Sequence, residues 1–139
     1  VSDKNITLFG WSFKKNTNDT RESAAIYVAD ILIENGAKIC VYDPKVTEQQ
    51  MLSDLDSLNS RLSKENKKAL KSFQDPYKAC ENSHAVSIIT EWDEFTTFNW
   101  NKIYKCLIKP AKVFDGRNLI NKNDLKEIGF NVYSIGKAD

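Results

Sequence analysis

The N-terminal third of the chain combines strand and helix signals in an order that strongly restricts the fold. The apolar run Ile6-Thr7-Leu8-Phe9 is typical of a buried strand, and the bulky apolar residues of segment 24–33 predict a packed helix. Gly36 follows as a helix C-cap would, and Lys38-Ile39-Cys40-Val41-Tyr42 predicts a second strand. This order predicts a βαβ unit with parallel strands and a right-handed crossover.

The alternation continues to the end of the chain. Residues 53–71 are polar, and we interpret them as a surface excursion of loop and helix. The pattern as a whole predicts an α/β three-layer sandwich, in which a mostly parallel, Rossmann-like sheet carries helices on both faces. The remaining strands are predicted at Ser72-Phe73, Ala85–Ile89, Val113-Phe114 and Val132–Ile135, and the remaining helices from Thr47, at Pro76–Cys80, within Glu91–Phe95, at Trp100–Ile108 and at Asn123–Ile128.

Length and charge narrow the function classes. A chain of 139 residues fits one domain, and its net charge of +1 gives no global argument for nucleic acid or a membrane as partner. The basic run 64–71 has no interleaved aromatic residues, so it does not indicate nucleic-acid binding. No apolar stretch reaches the length of a membrane helix. Recognition of an anion would therefore have to depend on local cations.

The three cysteines are widely spaced and odd in number, without a C-x-x-C pair. This pattern argues against a disulfide framework or a zinc site and favours a reducing compartment, so we expect a cytoplasmic protein. Cys40 and Cys106 have apolar neighbours, which favours buried, unreactive thiols over reactive ones.

Polar and charged residues follow several predicted strands where each strand ends. In an open parallel sheet, ligands bind at the carboxyl ends of the strands. Lys14 and Arg117 could converge there on one anion, Lys as a point charge and Arg as a bidentate fork. The alternative is that both are solvated surface residues. The four stretches at this edge are Phe13-Lys14-Lys15, Asp43-Pro44-Lys45, Thr90-Glu91-Trp92 and Asp115-Gly116-Arg117.

The segment before the first helix contains charged residues whose positions relative to the helix start are informative. Asp19 or Thr20 is expected to cap the helix, with Glu22 at the favourable end of the helix dipole. Arg21 would then lie against the dipole, which indicates that something else requires it. Gly10 stands alone after the first strand, so the chain lacks the G-x-G-x-x-G turn of dinucleotide-binding domains.

Other polar residues are more easily explained as structural. Asp43-Pro44 could be only a turn, and Gly116 could supply a positive φ beside Arg117. His84, the single histidine, has no nucleophile or metal-ligand partner in the sequence and is interpreted as structural. The acidic residues Glu91, Asp93 and Glu94 fit a solvated helix start better than a catalytic carboxylate pair.

Taken together, these motifs resemble the signature of the C-terminal domain in the UDP-glucose/GDP-mannose dehydrogenase family, over essentially the whole chain. Ser12, Asn18 and Asn118 depart from it, standing where alanine, glycine and arginine are frequent. The motifs that carry the resemblance are Gly10-Trp11-Ser12-Phe13-Lys14 with Thr17, Asp19, Arg21, Glu22 and Ser23, then Val41-Tyr42-Asp43-Pro44, Ala85-Val86, Thr90-Glu91-Trp92 and Phe114-Asp115-Gly116-Arg117.

The resemblance implies a substrate and a cofactor. The family enzyme expected here oxidises UDP-glucose to UDP-glucuronate and reduces two NAD⁺. By motif, Phe13, Lys14 and Arg117 would contact the UDP-sugar, and Arg21 would reach the NAD across a domain cleft. Residues 1–139 would then form the single C-terminal UDP-sugar-binding domain of a longer dehydrogenase, whose N-terminal domain mainly holds the NAD.

The resemblance also implies that this chain contributes no catalytic residue and no metal site. The family's catalytic cysteine, lysine and asparagine belong to N-terminal segments, and Cys40, Cys80 and Cys106 match none of them. The isolated domain is therefore expected to be inactive. Three alternatives stay open: a module that assembles the family's dimers and hexamers, a dehydrogenase of another nucleotide sugar, or a stand-alone nucleotide-binding protein.

Overall fold

The computed structural model describes residues 3–58 and 63–134. Six strands form one sheet in the order β3-β2-β1-β4-β5-β6, and each neighbouring pair is parallel. This is the strand order of doubly wound dinucleotide-binding folds, so the predicted Rossmann-like sheet is confirmed. The strands are β1 (Asn5–Phe9), β2 (Lys38–Tyr42), β3 (Leu70–Ser72), β4 (Ala85–Ile88), β5 (Lys112–Asp115) and β6 (Asn131–Ser134).

Helices cover both faces of this sheet, as predicted. Leu8 and Phe9 are adjacent in β1 and point to opposite faces, and each belongs to a different hydrophobic cluster. The Leu8 cluster includes residues of α1 and α2, and the Phe9 cluster includes residues of α4, α5 and α6. The helices are α1 (Ala24–Glu34), α2 (Glu48–Leu58), α3 (Ser63–Ala69), α4 (Pro76–Cys80), α5 (Trp100–Cys106) and α6 (Lys122–Ile128), with a 3-10 helix at Asp93–Thr97.

The predicted surface excursion 53–71 is more ordered than its polarity suggested. It contains the end of α2, helix α3 and most of β3, while residues 59–62 lie outside the described residues. Leu55 and Asn66 are completely buried, so the segment contributes to the core on one side. Strand β3 consequently begins at Leu70 rather than at Ser72, because Leu70 pairs with Ile39 of β2.

Several other boundaries differ from the sequence prediction by one or two residues, mostly at the ends of elements. Helix α5 ends at Cys106 and not at Ile108, because Leu107 has extended backbone angles. Strand β6 ends at Ser134, and Ile135 lies outside the described residues.

Where β5 and β6 lie, one face of the sheet presents two aromatic side chains that are partly exposed. Phe114 of β5 and Tyr133 of β6 stack with ring centroids 4.8 Å apart, and both rings are about half-exposed. Beside them lies a groove whose floor includes Ile6 and Ser87 and whose wall includes Val28 of α1. Within residues 3–58 and 63–134, no helix is both long and apolar enough to span a membrane.

The carboxyl ends of the central strands are level with one another. Phe9 of β1 pairs with Tyr42 of β2 on one side and with Ile88 of β4 on the other. Ile88 in turn pairs with Asp115 of β5. The loops that follow these four strands therefore leave the sheet at the same edge.

Candidate functional site

Asp43, at the end of β2, fixes the start of the loop that follows β1 (residues 10–23, here the β1 loop). Its Oδ2 atom accepts hydrogen bonds from the backbone amides of Trp11 at 2.7 Å and Ser12 at 3.0 Å. Its Oδ1 atom accepts from the amides of Lys45 at 2.8 Å and Val46 at 3.1 Å. The carboxylate is buried, and four amides replace its hydration. Asp43-Pro44 is therefore more than a turn, because it joins two loops of the candidate site.

The loop after β4 (residues 89–92, here the β4 loop) joins the β1 loop from the other side. The Thr90 hydroxyl is completely buried and donates to the Ser12 carbonyl at 2.8 Å. Gly10 has a φ of +100°, and a Cβ there would lie 2.4 Å from the Thr90 Cβ. Position 10 is thus restricted to glycine by both conformation and space.

The β1 loop presents Phe13 and Lys14 to solvent on a folded backbone. The Phe13 amide donates to the Asp19 carbonyl at 2.7 Å, and the Ser12 hydroxyl donates to the Lys14 carbonyl at 2.9 Å. The Phe13 side chain is 48% exposed although it is a large apolar group. Lys14 is exposed and has no ion pair with a carboxylate in the part of the chain that the structure describes, whereas Lys15 lies 3.4 Å from Asp93.

Arg117 follows β5 and is anchored to the β4 loop. Its Nε atom donates to the Ile89 carbonyl at 2.8 Å and lies 3.5 Å from a carboxylate oxygen of Glu91. The buried Asp115 holds the turn, since its two oxygens accept from the amides of Arg117 at 3.1 Å and Ile120 at 2.9 Å. The contacts found for the Arg117 side chain within the described residues use only Nε, so both terminal nitrogens can serve as donors to an anion.

The expected role of Gly116 in this turn is wrong. Its φ is not positive, and the left-handed residue is Asn118, with a φ of 54°. Asparagine tolerates this conformation better than most residues because its short side chain can hydrogen-bond locally. Asn118, which stands where arginine is frequent in the family that the sequence resembles, is therefore the residue with the left-handed backbone.

The β1 loop and the Arg117 turn meet through the β4 loop. Thr90 holds Ser12, and Ile89 holds Arg117, so the loops that carry Lys14 and Arg117 are both bonded to consecutive residues of the same segment. The predicted convergence of Lys14 and Arg117 on one anion stays a prediction. The arrangement provides two cations at one sheet edge, joined by a shared support.

The sequence interpretation of Arg21 requires correction. Helix α1 begins at Ala24, and the Ser23 hydroxyl caps it by accepting from the Ala25 amide at 3.2 Å. Asp19 and Thr20 are therefore not the cap, and Arg21 precedes the helix instead of lying in its first turn. The argument that Arg21 opposes the helix dipole no longer applies.

Arg21 is held by Asp19 instead. Its Nε and Nη2 atoms donate to the two carboxylate oxygens at 3.1 and 2.9 Å, and its side chain is 88% exposed. The hydrogen bonds from the Arg21 side chain and backbone lower the pKa of Asp19 to about 2. Glu22, the next residue, has a φ of 58° and is exposed, so the loop turns sharply away just before Ser23.

The β1 loop does not fit the pyrophosphate of a dinucleotide in the usual way. In a G-x-G-x-x-G turn, free backbone amides and the helix start face the phosphates. Here the Trp11 and Ser12 amides are bonded to the Asp43 carboxylate, and Thr90 fills the space beside Gly10. Arg21, the one residue expected to contact NAD, lies on this loop with its side chain exposed.

His84 and Glu94, two other titratable residues considered in the sequence, make structural contacts. His84 accepts a hydrogen bond from the Asn5 amide at 3.1 Å through Nδ1, as expected for a structural histidine. Glu94, rather than being solvated, accepts from the Tyr42 hydroxyl at 2.6 Å, and burial together with this bond raises the pKa of Tyr42. No group of three or more potential His, Cys, Asp or Glu metal ligands occurs within the described ranges.

The cysteines differ slightly from expectation. Cys80 is the fully buried one, whereas Cys40 and Cys106 are only half-buried. Burial raises the pKa of all three thiols, so the thiol form that reacts slowly is favoured in each case.

Sequence reasoning missed the residues that hold the site together. Ser23 could have been identified as the cap, since it immediately precedes the apolar helix pattern. Asp43 and Thr90 were placed at the correct edge, but their partner on the β1 loop, Ser12, lies 31 and 78 positions away from them, respectively. No local pattern reports contacts at such separations.

Comparison with known proteins agrees with this architecture. Residues 7–122 match the model of the "UDP-glucose/GDP-mannose dehydrogenase family, UDP binding domain". Curated UDP-glucose 6-dehydrogenases from Drosophila melanogaster and Caenorhabditis elegans are each 48% identical over 138 residues, which is 99% of this chain. These matches cover 29% and 28% of the two relatives, so the chain spans less than a third of their length.

The structural comparison gives the same result. The solved UDP-D-ManNAc dehydrogenase from Pyrococcus horikoshii superposes with a TM-score of 0.72 at 26% identity. The match covers 97% of this chain and 26% of that protein. The family match spans most of the chain and includes the loops after β1, β4 and β5. The chain therefore belongs to the UDP-glucose/GDP-mannose dehydrogenase family and corresponds to its UDP binding domain.

Proposed function

We propose that the chain is the UDP-sugar-binding domain of a UDP-glucose 6-dehydrogenase. Such an enzyme oxidises UDP-glucose to UDP-glucuronate with two NAD⁺. The observation that carries the proposal is the pair of cations, Lys14 and Arg117, on loops bonded to the same β4 loop at the ligand-binding edge of the sheet. The choice of UDP-glucose among nucleotide sugars is supported by the 48% identity to two UDP-glucose 6-dehydrogenases.

Each proposed contact residue has a distinct role. Phe13 offers an exposed ring for apolar contact, and Lys14 supplies an exposed charge that forms no ion pair among the described residues. Arg117 directs its two terminal nitrogens to a phosphate or sugar oxygen. Arg21 contacts the NAD, which is held mainly by another part of the parent enzyme.

The chain by itself is proposed to be inactive. The catalytic cysteine, lysine and asparagine would come from other segments of the parent protein, which would act in a reducing, cytoplasmic compartment. This chain's residues bind and orient the UDP-sugar, and no residue here is assigned a chemical step.

The experiment that tests the proposal is titration of the 139-residue chain with UDP by calorimetry. Arg117→Ala should weaken binding by about 1.5–3 kcal/mol, because it removes a charge-assisted contact. Lys14→Ala should also weaken binding. Lys38→Ala, a change of an exposed lysine at the opposite edge of the sheet, is the matched control and should leave the affinity unchanged. Wild-type chain that shows no response to millimolar UDP would contradict the proposal.

A second candidate is an assembly module, favoured by the half-exposed Phe114–Tyr133 stack on the sheet. Sedimentation of the isolated chain, with and without UDP, distinguishes the two. An oligomer whose thermal stability is indifferent to UDP would favour assembly. A monomer stabilised by UDP would favour substrate binding, and titration with GDP-mannose and UDP-N-acetyl sugars would then test the choice of sugar.

A further inference from the structure

Glu91 lies beside Arg117 without occupying its terminal nitrogens. The carboxylate is 3.5 Å from Nε, the same atom that donates to the Ile89 carbonyl at 2.8 Å. Both side chains are partly exposed, at 40% for Arg117 and 37% for Glu91. The Glu91 carboxylate therefore lies near Nε, the guanidinium nitrogen that is already hydrogen-bonded to the backbone carbonyl of Ile89.

The strand order gives this anchor a direction. Arg117 follows β5, Ile89 follows β4, and β4 separates β5 from β1. By bonding at the end of β4, the Arg117 side chain is drawn from its own strand toward the β1 loop. That loop carries Phe13 and Lys14.

Arg21 provides a contrast within the same chain. Asp19 takes Nε and Nη2 of Arg21 together, in the side-on bidentate geometry that a phosphate would otherwise use. Glu91 and Ile89 take only Nε of Arg117, which leaves the edge formed by the two terminal nitrogens available. Asp19 occupies the edge of Arg21 that could bind an anion, whereas Glu91 leaves the corresponding edge of Arg117 available.

The geometry points to Glu91 as a positioning residue that orients Arg117 toward the anion bound between the β1 loop and the turn that follows β5. The inference rests on the proposed function, since the anion concerned is the diphosphate of the nucleotide sugar. Glu91 itself touches neither substrate nor cofactor. It acts by restricting the Arg117 side chain before ligand arrives, which reduces the ordering required on binding.

Two measurements on the 139-residue chain test this role, both with Glu91→Gln. The first is the heteronuclear NOE of the Arg117 Nε–Hε group without ligand, which reports motion of that side chain. It should be high in the wild type and lower in the variant. The second is UDP affinity by calorimetry, which should fall about two- to fivefold, the range expected for one exposed ion pair. Glu34→Gln, at the far end of α1, is the matched control and should change neither value.

An Arg117→Lys background separates positioning from a general structural effect. Lysine has no Nε branch, so Glu91→Gln should there cause no further loss of UDP affinity. An equal loss in both backgrounds would overturn the proposal. Tighter UDP binding by Glu91→Gln would also overturn it, because Glu91 would then compete with the ligand.

The outcomes also separate this inference from the proposed function. If wild-type chain fails to bind UDP, the proposed function fails, and the NOE still decides whether Glu91 restrains Arg117. If UDP binds but the NOE and affinity are unchanged by Glu91→Gln, the function stands and the positioning role fails.

Discussion

The Trp11 amide donates a 2.7 Å hydrogen bond to the buried carboxylate of Asp43, which joins the loop after β1 to the end of β2. The same carboxylate also accepts from Ser12 and from two amides of its own turn. One side chain thus satisfies four backbone donors at the edge where the candidate site lies. The shape of the β1 loop depends on this carboxylate.

Asp43→Asn should destabilise the chain by about 2–3 kcal/mol. The amide retains one acceptor oxygen, and its NH₂ group would face two backbone donors that then lack a partner. Urea denaturation followed by circular dichroism measures the change. Asp93→Asn is the control, because Asp93 is 80% exposed and its ion pair among the described residues is with Lys15 at the surface, so its loss should cost less than about 1 kcal/mol. Equal effects of the two changes would contradict the role assigned to Asp43.

Gly10→Ala should destabilise the chain by about 2–4 kcal/mol. The new Cβ would lie 2.4 Å from the Thr90 Cβ and 2.7 Å from the Thr90 backbone nitrogen, so a side-chain rotation of Thr90 could not relieve the contact. The φ of +100° adds backbone strain. Thermal unfolding of Gly10→Ala is compared with that of Gly116→Ala. Because the φ of Gly116 is not positive, the second substitution should lower the melting temperature much less. Similar melting temperatures for the two variants would contradict the prediction, because they would show that a Cβ beside Thr90 costs no more stability than one at Gly116.

The Asp19 carboxyl should titrate with a midpoint of about 2, below its ordinary value of 3.8. The folded-state pKa is lowered, so any stabilisation by the Asp19–Arg21 pair is present above pH 3.8 and is lost as the pH falls toward 2. Carboxyl ¹³C chemical shifts measured against pH give the midpoint. In Arg21→Ala the midpoint should rise toward 3.8, and an unchanged midpoint would mean that another group lowers the pKa.

Arg21→Ala in the full-length parent protein should raise the KM for NAD more than it changes the KM for UDP-glucose. Because Arg21 is exposed and already paired with Asp19, the expected loss is modest, about 0.5–1.5 kcal/mol of cofactor binding. Steady-state kinetics with each substrate varied in turn measures the effect. Lys38→Ala serves as the control for a lost surface cation. A rise in the KM for UDP-glucose alone would assign Arg21 to the substrate instead.

The sheet could be predicted from sequence because its signals are local. The apolar runs of β1, β2 and β4, the β-branched residues and the glycine after α1 each lie within one element. Residues 53–71 were misjudged because few of their apolar side chains are buried, among them Leu55 and Leu70, and the polar residues between them dilute the helical pattern. Which strand lies beside which is a non-local property, although the crossover rule limited the choices.

The candidate site could be predicted only where its signals are local, and not where it depends on contacts between distant segments. Placing Lys14 and Arg117 at one sheet edge required only the strand ends. The cap of α1 was misassigned because Asp19, Thr20 and Ser23 are all good cap residues, and the choice depends on where the backbone turns at Glu22. The supports of the site are bonds between distant segments, from Thr90 to Ser12 and from Arg117 to Ile89.

The β4 loop has a thermodynamic consequence for ligand recognition. Because it holds Ser12 through Thr90 and Arg117 through Ile89, the conformational entropy of the two recognition loops is lost when the chain folds and not when a ligand arrives. Under the proposed function, an anion that meets Lys14 and Arg117 would find both loops already held in place, which would lower the ordering cost of binding.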